Sequence, residues 1–512
     1  MRTSNSIRNS FSATLQTLVT MIVGFIAQTI FIRLLGAEYL GLNGLFTNIL
    51  SMLSIFELGI GNAIVYNLYK PIADNDIGKI KSLMRFYKKA YNIIAILVLV
   101  FGLVIVPFLP LFVKNVTVDI NITIVYILFL MSSVASYVLT YKRSLIYANQ
   151  KNYIINYLHA GYIVILNVLQ LLVLYLFKNY YIYLLLKIVC QLLENIILNV
   201  IANKMYPYLK DNDASKLDKK TEKSIFKKIK ALFFHKVGSY IVLGTDNLII
   251  STFIGIVVVG YYSNYYMVIN AVNTFGFQII TSAVASIGNL LVTENAEKTY
   301  SVFKKIRFLN FWIACFSAIC ILNLMQPFIR LWAGSKYLLS TAVLIVLVFN
   351  YYQKMMRRSY AAFKDASGTW EEDKYVPIVE SILNVVFSIV FLKMFGLVGV
   401  FVGTIVSGFA VWCYSYPKFV YKKLFKRSYL DYSKETIAYI LTFVLLATIT
   451  YLCTKLFIFN NQYIQLGINL TICLIVPNLL MLIIFRKTDN YKYFASLLKK
   501  IFDKFRKKLR KS

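Results

Sequence analysis

Apolar residues along this chain neither alternate with polar ones nor form the one-sided stripe of a surface helix. They come in runs of about twenty residues separated by short polar or basic breaks. A helix of that length covers the hydrocarbon of a bilayer, so each run reads as a transmembrane span. The pattern predicts fourteen spans: 11–35, 39–69, 90–113, 120–141, 153–177, 180–202, 229–254, 257–292, 308–328, 338–352, 376–395, 398–420, 436–459 and 463–485. The second and eighth are long enough to tilt or to project beyond the bilayer.

Composition sharpens this reading. Hydrophobic residues make up 59% of the 512, charged residues only 15%, and mean hydropathy is +0.66. No water-soluble core hides that much apolar surface. The net charge of +33 would suggest nucleic acid in a soluble chain. Here the cations fall between apolar runs rather than on a basic stripe of a soluble domain, which excludes nucleic acid and makes charge a topology signal. Lys70, Lys79, Lys81, Arg85, Lys88 and Lys89 follow the second span, seven lysines between Lys216 and Lys230 follow the sixth, and the tail from Lys504 to Lys511 is basic. These segments are placed in the cytoplasm, with both termini, and they attract anionic membrane lipids. All six cysteines lie inside apolar runs, so neither a disulfide framework nor a zinc site is expected. The chain has no phosphate-cradling loop, zinc motif or nucleophile elbow, and it reads as a non-enzyme without cofactor or metal.

Sliding the chain against itself by a little over 215 residues reveals a repeat. Gly36 and Gly41 fall on Gly255 and Gly260, each pair framing a tight external turn. The word I-L-N-V at 165–168 recurs at 382–385, and Lys142, Arg143 and Ser144 recur as Arg357, Arg358 and Ser359. An even number of spans per repeat relates the halves by an axis along the membrane normal, as in many transporters. The expected organisation is a six-helix lobe over 1–203, a basic cytoplasmic linker over 204–228, a second six-helix lobe over 229–428, two additional helices over 429–485 and a basic tail over 486–512.

Ionisable side chains within spans are costly and face the bundle interior or water, which makes them the candidates for function. Asp246 and Asn247 lie about two turns before an external turn, with Gln28 at the repeat-matched place. Glu57 sits in a glycine-rich stretch with Gly59, Gly61 and Asn62. The basic pairs Lys142/Arg143 and Arg357/Arg358 close the fourth and tenth spans in symmetric positions, where they either gather a diphosphate or anchor helix ends at headgroups. Arg33, Lys187 and Lys236 complete the candidate path, and Lys187 and Glu194 share a helix face. Glu57, His159 and Asp246 are the candidates for ion coupling, His159 because imidazole titrates near neutral pH. Glycines 396, 399, 403 and 408 form a small-residue packing face.

The words F-I-R-L-L-G-A-E-Y-L-G at 31–41, F-E-L-G-I-G-N-A at 56–63 and D-N-L-I-I-S-T-F-I-G at 246–255, on twelve plus two spans, resemble the polysaccharide-repeat (O-antigen or capsule, Wzx-type) flippases of the multidrug/oligosaccharidyl-lipid/polysaccharide (MOP) exporter superfamily. That resemblance implies an all-α membrane protein of two six-helix lobes in a MATE-like V shape. It implies alternating access, a polyprenyl-diphosphate oligosaccharide as substrate, a cationic lumen, a bacterial cell membrane, and cooperation with a polysaccharide polymerase and export machinery. The sequence departs from it in having few cations deep in the first lobe. A small-solute or multidrug antiporter of the same fold is the nearest alternative, ahead of a membrane polymerase.

Overall fold

A computed structural model describes residues 2–57, 60–114, 116–210, 217–219, 221–223, 225, 244–281, 284–369, 372–373 and 375–509. Among these residues the chain forms helices and no strand, as expected where lipid cannot satisfy backbone groups and each segment must do so internally. Nine helices among the described residues are long and apolar enough to cross a membrane, and a tenth arises if the bent pair Ile122–Tyr137 and Thr140–Ala148 is one span. The chain is thus a multi-pass, all-α membrane protein. Its helices pack as two compact units, Met1–Ser263 and Asn264–Ser512.

The first unit contains α1 (Arg2–Leu35), α2 (Ala37–Leu53), α3 (Ile60–Ala73), α4 (Ile77–Ile105), α5 (Ile122–Tyr137), α6 (Arg143–Ala148), α7 (Asn152–Phe177), α8 (Tyr180–Met205) and the helix α9 at 244–253. Polar residues at the breaks cap the helices that follow: Asp76, Asn121 and Asn179 accept from backbone N–H groups three residues on. The expected second span is broken, because a 3-10 turn at Ser54–Glu57 separates α2 from α3. The fourth breaks where Leu139 takes a left-handed conformation, φ 63°, and bends the chain by 41° just before the Lys142/Arg143 pair.

Of the repeat-matched glycines, Gly36 (φ 89°) and Gly255 (φ 136°) make the turns. Gly41 and Gly260 do something else. They lie inside α2 and the following helix α10 (Ile256–Thr281), and a methyl on Gly41 would land well under 3.0 Å from the Ile256 carbonyl oxygen, one on Gly260 equally close to that of Ala37. The two helices cross backbone on backbone at these glycines, so the sequence expectation that each whole pair frames a turn holds only for its first member.

The second unit takes up the rest of α10, then α11 (Val284–Thr293), α12 (Ala296–Trp332), α13 (Thr341–Ser367), α14 (Val376–Phe395), α15 (Leu397–Ala410) with its π-helical continuation Val411–Leu424, α16 (Tyr429–Leu456), α17 (Gln462–Phe485) and α18 (Asp489–Leu509). Of the four glycines expected to form a packing face, Gly399 and Gly403 pack on α14, whereas Gly396 (φ 59°) makes the turn before α15 and Gly408 faces Gln353 of α13. Added methyls at Gly399 and Gly403 would strike the backbone at Phe391 and Ser388. α16 and α17 pack on α12, through Trp312 Nε1 donating to Asn478 Oδ1 at 2.8 Å and Thr454 Oγ1 donating to Asn323 Oδ1 at 3.1 Å.

Candidate functional site

In the first unit the centre of charge is Glu194 on α8, whose side chain is 1% exposed. A lone carboxylate there would be neutralised or expelled, and three helices supply its partners. Arg143, at the start of α6, brings Nη2 to 3.1 Å from Glu194 Oε1 and donates to Asn195 Oδ1 at 3.1 Å. His159 on α7 places Nδ1 2.9 Å from the same oxygen, and Gln191 Nε2 donates to Oε2 at 3.1 Å. Tyr162 stacks on His159 and donates to Gln191. Asn195 is itself held by the Ala135 carbonyl. Arg143 and His159 remain 22% and 30% exposed, so the cluster reaches the surface of its unit through these two side chains. Arg143 Nε is buried with no hydrogen-bond partner among the described residues.

Lys142 turns the other way and donates to Asn203 Oδ1 at 2.5 Å. Lys187 is half-buried over the Phe129 ring at 5.5 Å, so the face it shares with Glu194 does not bring the two into one cluster. Arg33 is exposed. Glu57 ends the 3-10 turn and accepts from Tyr91 OH at 3.5 Å. Asp246 and Asn247 are buried, Asn247 Oδ1 without a hydrogen-bond partner among the described residues. Gly44 of α2 lies against Asn247, close enough that an added methyl would touch its Nδ2 at 3.5 Å. Lys236 lies outside the described residues, as does His235.

In the second unit the basic pair sits inside α13, which continues for several residues beyond it to Ser367. Arg357 forms a two-pronged bond with Glu380 on α14, at 2.5 and 2.9 Å, and its Nε donates to Tyr416 OH at 3.4 Å. Arg358 lies with its guanidinium 4.2 Å from the centre of the Phe277 ring and pairs with no carboxylate among the described residues. Its Nε is also buried without a partner among them. The repeat thus places the two basic pairs alike but neutralises opposite members. Among the described residues Arg143 is ion-paired and its match Arg358 is not, whereas Arg357 is paired and its match Lys142 has an amide acceptor and the Tyr141 ring at 5.7 Å.

Three further clusters escape the sequence reading. Arg307 on α12, 1% exposed, binds Glu435 and Tyr421 OH and stacks against Tyr439 at 4.8 Å, while Tyr300 and Tyr421 also donate to Glu435. Asp373, fully buried, pairs with Lys364 and accepts from Ser415 at 2.8 Å. Glu38, in the first turn of α2, is bound by the backbone N–H and hydroxyl of Thr117 and pins the segment before α5. Each anion sits at or beyond the margin of an apolar run. An acidic residue abutting a run, with an arginine at the edge of another, was the available signal. Among the described residues no group of His, Cys, Asp and Glu has the arrangement of a metal site.

Comparison with known proteins fits this architecture. No curated sequence matches the chain. Among solved structures it resembles the lipid II flippase MurJ in an inward closed conformation, at TM-score 0.66 and 16% identity over 92% of this chain and 98% of that one. It also resembles an inward-facing multidrug resistance MATE transporter of the MOP superfamily, at TM-score 0.61 and 14% identity over 79% and 94% of the two chains. A MATE transporter of Vibrio cholerae aligns at TM-score 0.55 and 12% identity over 83% and 99%. Residues 6–285 match the model of the family described as polysaccharide biosynthesis protein. The chain belongs to that family and carries the fold of the MOP-superfamily transporters.

Proposed function

We propose that this protein is a flippase that carries polyprenyl-diphosphate-linked oligosaccharide repeat units from the inner to the outer leaflet for surface polysaccharide export, by alternating access between its two halves. The carrying observation is the repeat-matched pair Arg143 and Arg358. Both are partly buried, and each keeps a guanidinium N–H that no group among the described residues accepts. A buried donor without a partner costs about 1–3 kcal/mol. A diphosphate oxygen would relieve that cost at either position, and planar guanidinium donors suit phosphate. Family and fold support the transport class. The charge pattern supports cytoplasmic termini, and the family supports placement in a bacterial plasma membrane.

A small-solute antiporter of the same fold is favoured by one observation, the His159–Glu194 contact, which could carry a proton through a membrane-embedded pair. Glu57 and Asp246 remain as further candidates for ion coupling. Deleting the gene and extracting lipid-linked saccharides separates these readings. Single repeat units accumulating out of reach of an impermeant glycan-cleaving enzyme on intact protoplasts support the flippase. Accessible units point to a polymerase defect, and an unchanged lipid-linked pool with intact surface polymer points to the small-solute transporter.

A further inference from the structure

A cavity of about 650 Å³ lies in the second unit where α12 and α16 end and α13 and α17 begin. Its size suits a lipid headgroup. Its lining contains two cations, Arg330 and Lys455, and no carboxylate. Both are exposed, and neither is ion-paired among the described residues. The floor is a closed polar chain: Thr454 donates to Asn323, Gln465 to Asn469 at 2.8 Å, and Asn469 to the Asn323 carbonyl at 3.4 Å. Asn323 also donates to the Ile319 carbonyl and Gln465 to that of Phe457, so the floor amides are engaged within the protein and the donors left for a ligand belong to the mouth. There Ser340 and Thr341 open α13 and Gln462 opens α17; the Ser340 and Asn461 side chains cap N–H groups of these first turns, and the partial positive charge of the two helix N-termini adds to that of the cations.

The surroundings identify the ligand's source. Leu456, Ile458 and Tyr463, on the loop and helix ends beside the mouth, are 76–78% exposed. Exposed Leu and Ile face the hydrocarbon and Tyr marks its border, so the mouth lies near the interfacial layer, where the abundant oxyanion is a lipid phosphate. Leu322, Pro327 and Leu344 give the cavity an apolar wall for the first carbons below the headgroup. We infer that this cavity binds the phosphate or diphosphate headgroup of a membrane lipid, at the end of the bundle opposite the basic tail helix α18. It depends on the proposed topology only for naming that face as the outer one, and on the transport reading not at all.

The full chain in nanodiscs of phosphatidylcholine is titrated with a polyprenyl diphosphate, with phosphatidylglycerol or with inorganic phosphate, and bound lipid is counted by native mass spectrometry. Exchanging both cations in an Arg330→Gln/Lys455→Gln variant should weaken retention of the phosphate lipid about tenfold or more, since two charge-assisted contacts are removed. Thr341→Trp, which keeps both charges but fills the mouth, should do the same. Thr341, Arg330 and Lys455 are exposed, so the unfolding temperature of each variant should match the native chain and is measured alongside. Loss for polyprenyl diphosphate alone assigns a carrier-lipid site, and equal loss for both lipids assigns a general anionic phospholipid site. Native-like retention in both variants, or displacement of the lipid by inorganic phosphate at equal concentration, overturns the inference. Flipping measured on the same variants is a separate readout, and its preservation leaves the binding result intact.

Discussion

At the residue scale the first unit turns on one carboxylate. Glu194 is enclosed, and Arg143 and His159 share its oxygen, so Glu194→Gln leaves the Arg143 guanidinium facing an amide and takes the carboxylate from His159. Removing one member of a buried pair typically costs 3–5 kcal/mol, and partial exposure of both partners lowers the expected loss here to about 2 kcal/mol. Thermal unfolding of the purified variant should show it, and an unchanged transition would contradict the hub. Arg358 makes a different case. Its ring contact with Phe277 is worth about 1 kcal/mol, so Arg358→Gln should fold nearly normally yet slow transport at least tenfold. A native rate in that variant would reduce Arg358 to a packing cation. His159, Arg143 and Glu194 were each legible in the sequence as costly ionisable groups in or beside spans. Their convergence was not, since it depends on how α6, α7 and α8 pack. Arg307 and Glu435 were missed for a simpler reason. Each abuts an expected span by one residue, at 308 and 436, and read as a solvated edge charge. In the structure both helices start earlier, at Ala296 and Tyr429, which carries the pair inside.

At the scale of elements, hydropathy located the helices but not their breaks. The 3-10 turn at Ser54–Glu57 and the left-handed Leu139 interrupt runs whose apolar character is continuous, so the runs gave no sign of them. The glycine repeat was legible as a pattern and ambiguous as a structure: the same residue type serves a turn at Gly36 and Gly255 and a backbone crossing at Gly41 and Gly260. The crossing makes a sharp prediction. Gly41→Ala and Gly260→Ala each drive a methyl into a carbonyl oxygen that belongs to the partner helix and cannot move alone, so folded yield by size-exclusion chromatography should fall severely. Gly161→Ala in α7 meets open space and should raise stability by about 0.5–1 kcal/mol through helix propensity. Equal tolerance of alanine at positions 41 and 161 would contradict the crossing.

At the scale of the whole molecule, run length and charge placement were enough to establish a polytopic, all-helical membrane protein, and the repeat pointed to transporter architecture. The role of the last two spans was not legible, because an apolar run does not say what it packs against. In the structure α16 and α17 dock on α12 through Glu435, Thr454, Asn469 and Asn478. Truncation after residue 428 would strip the buried Arg307 of its counter-ion and Trp312 of its acceptor. The truncated chain should fail to accumulate in membranes, and a stable, active one would show these helices to be dispensable. Transport of a lipid-linked saccharide can be followed in a reconstituted system. Purified protein is placed in proteoliposomes loaded with a polyprenyl-diphosphate oligosaccharide, and the fraction cleaved by an impermeant glycosidase is followed over time. Cleavage should rise from about half of the glycan, the outer-leaflet share, toward completion, and should stay at that share with the Arg143→Gln/Arg358→Gln double variant. Native protein that leaves the inner half protected would contradict the flippase account.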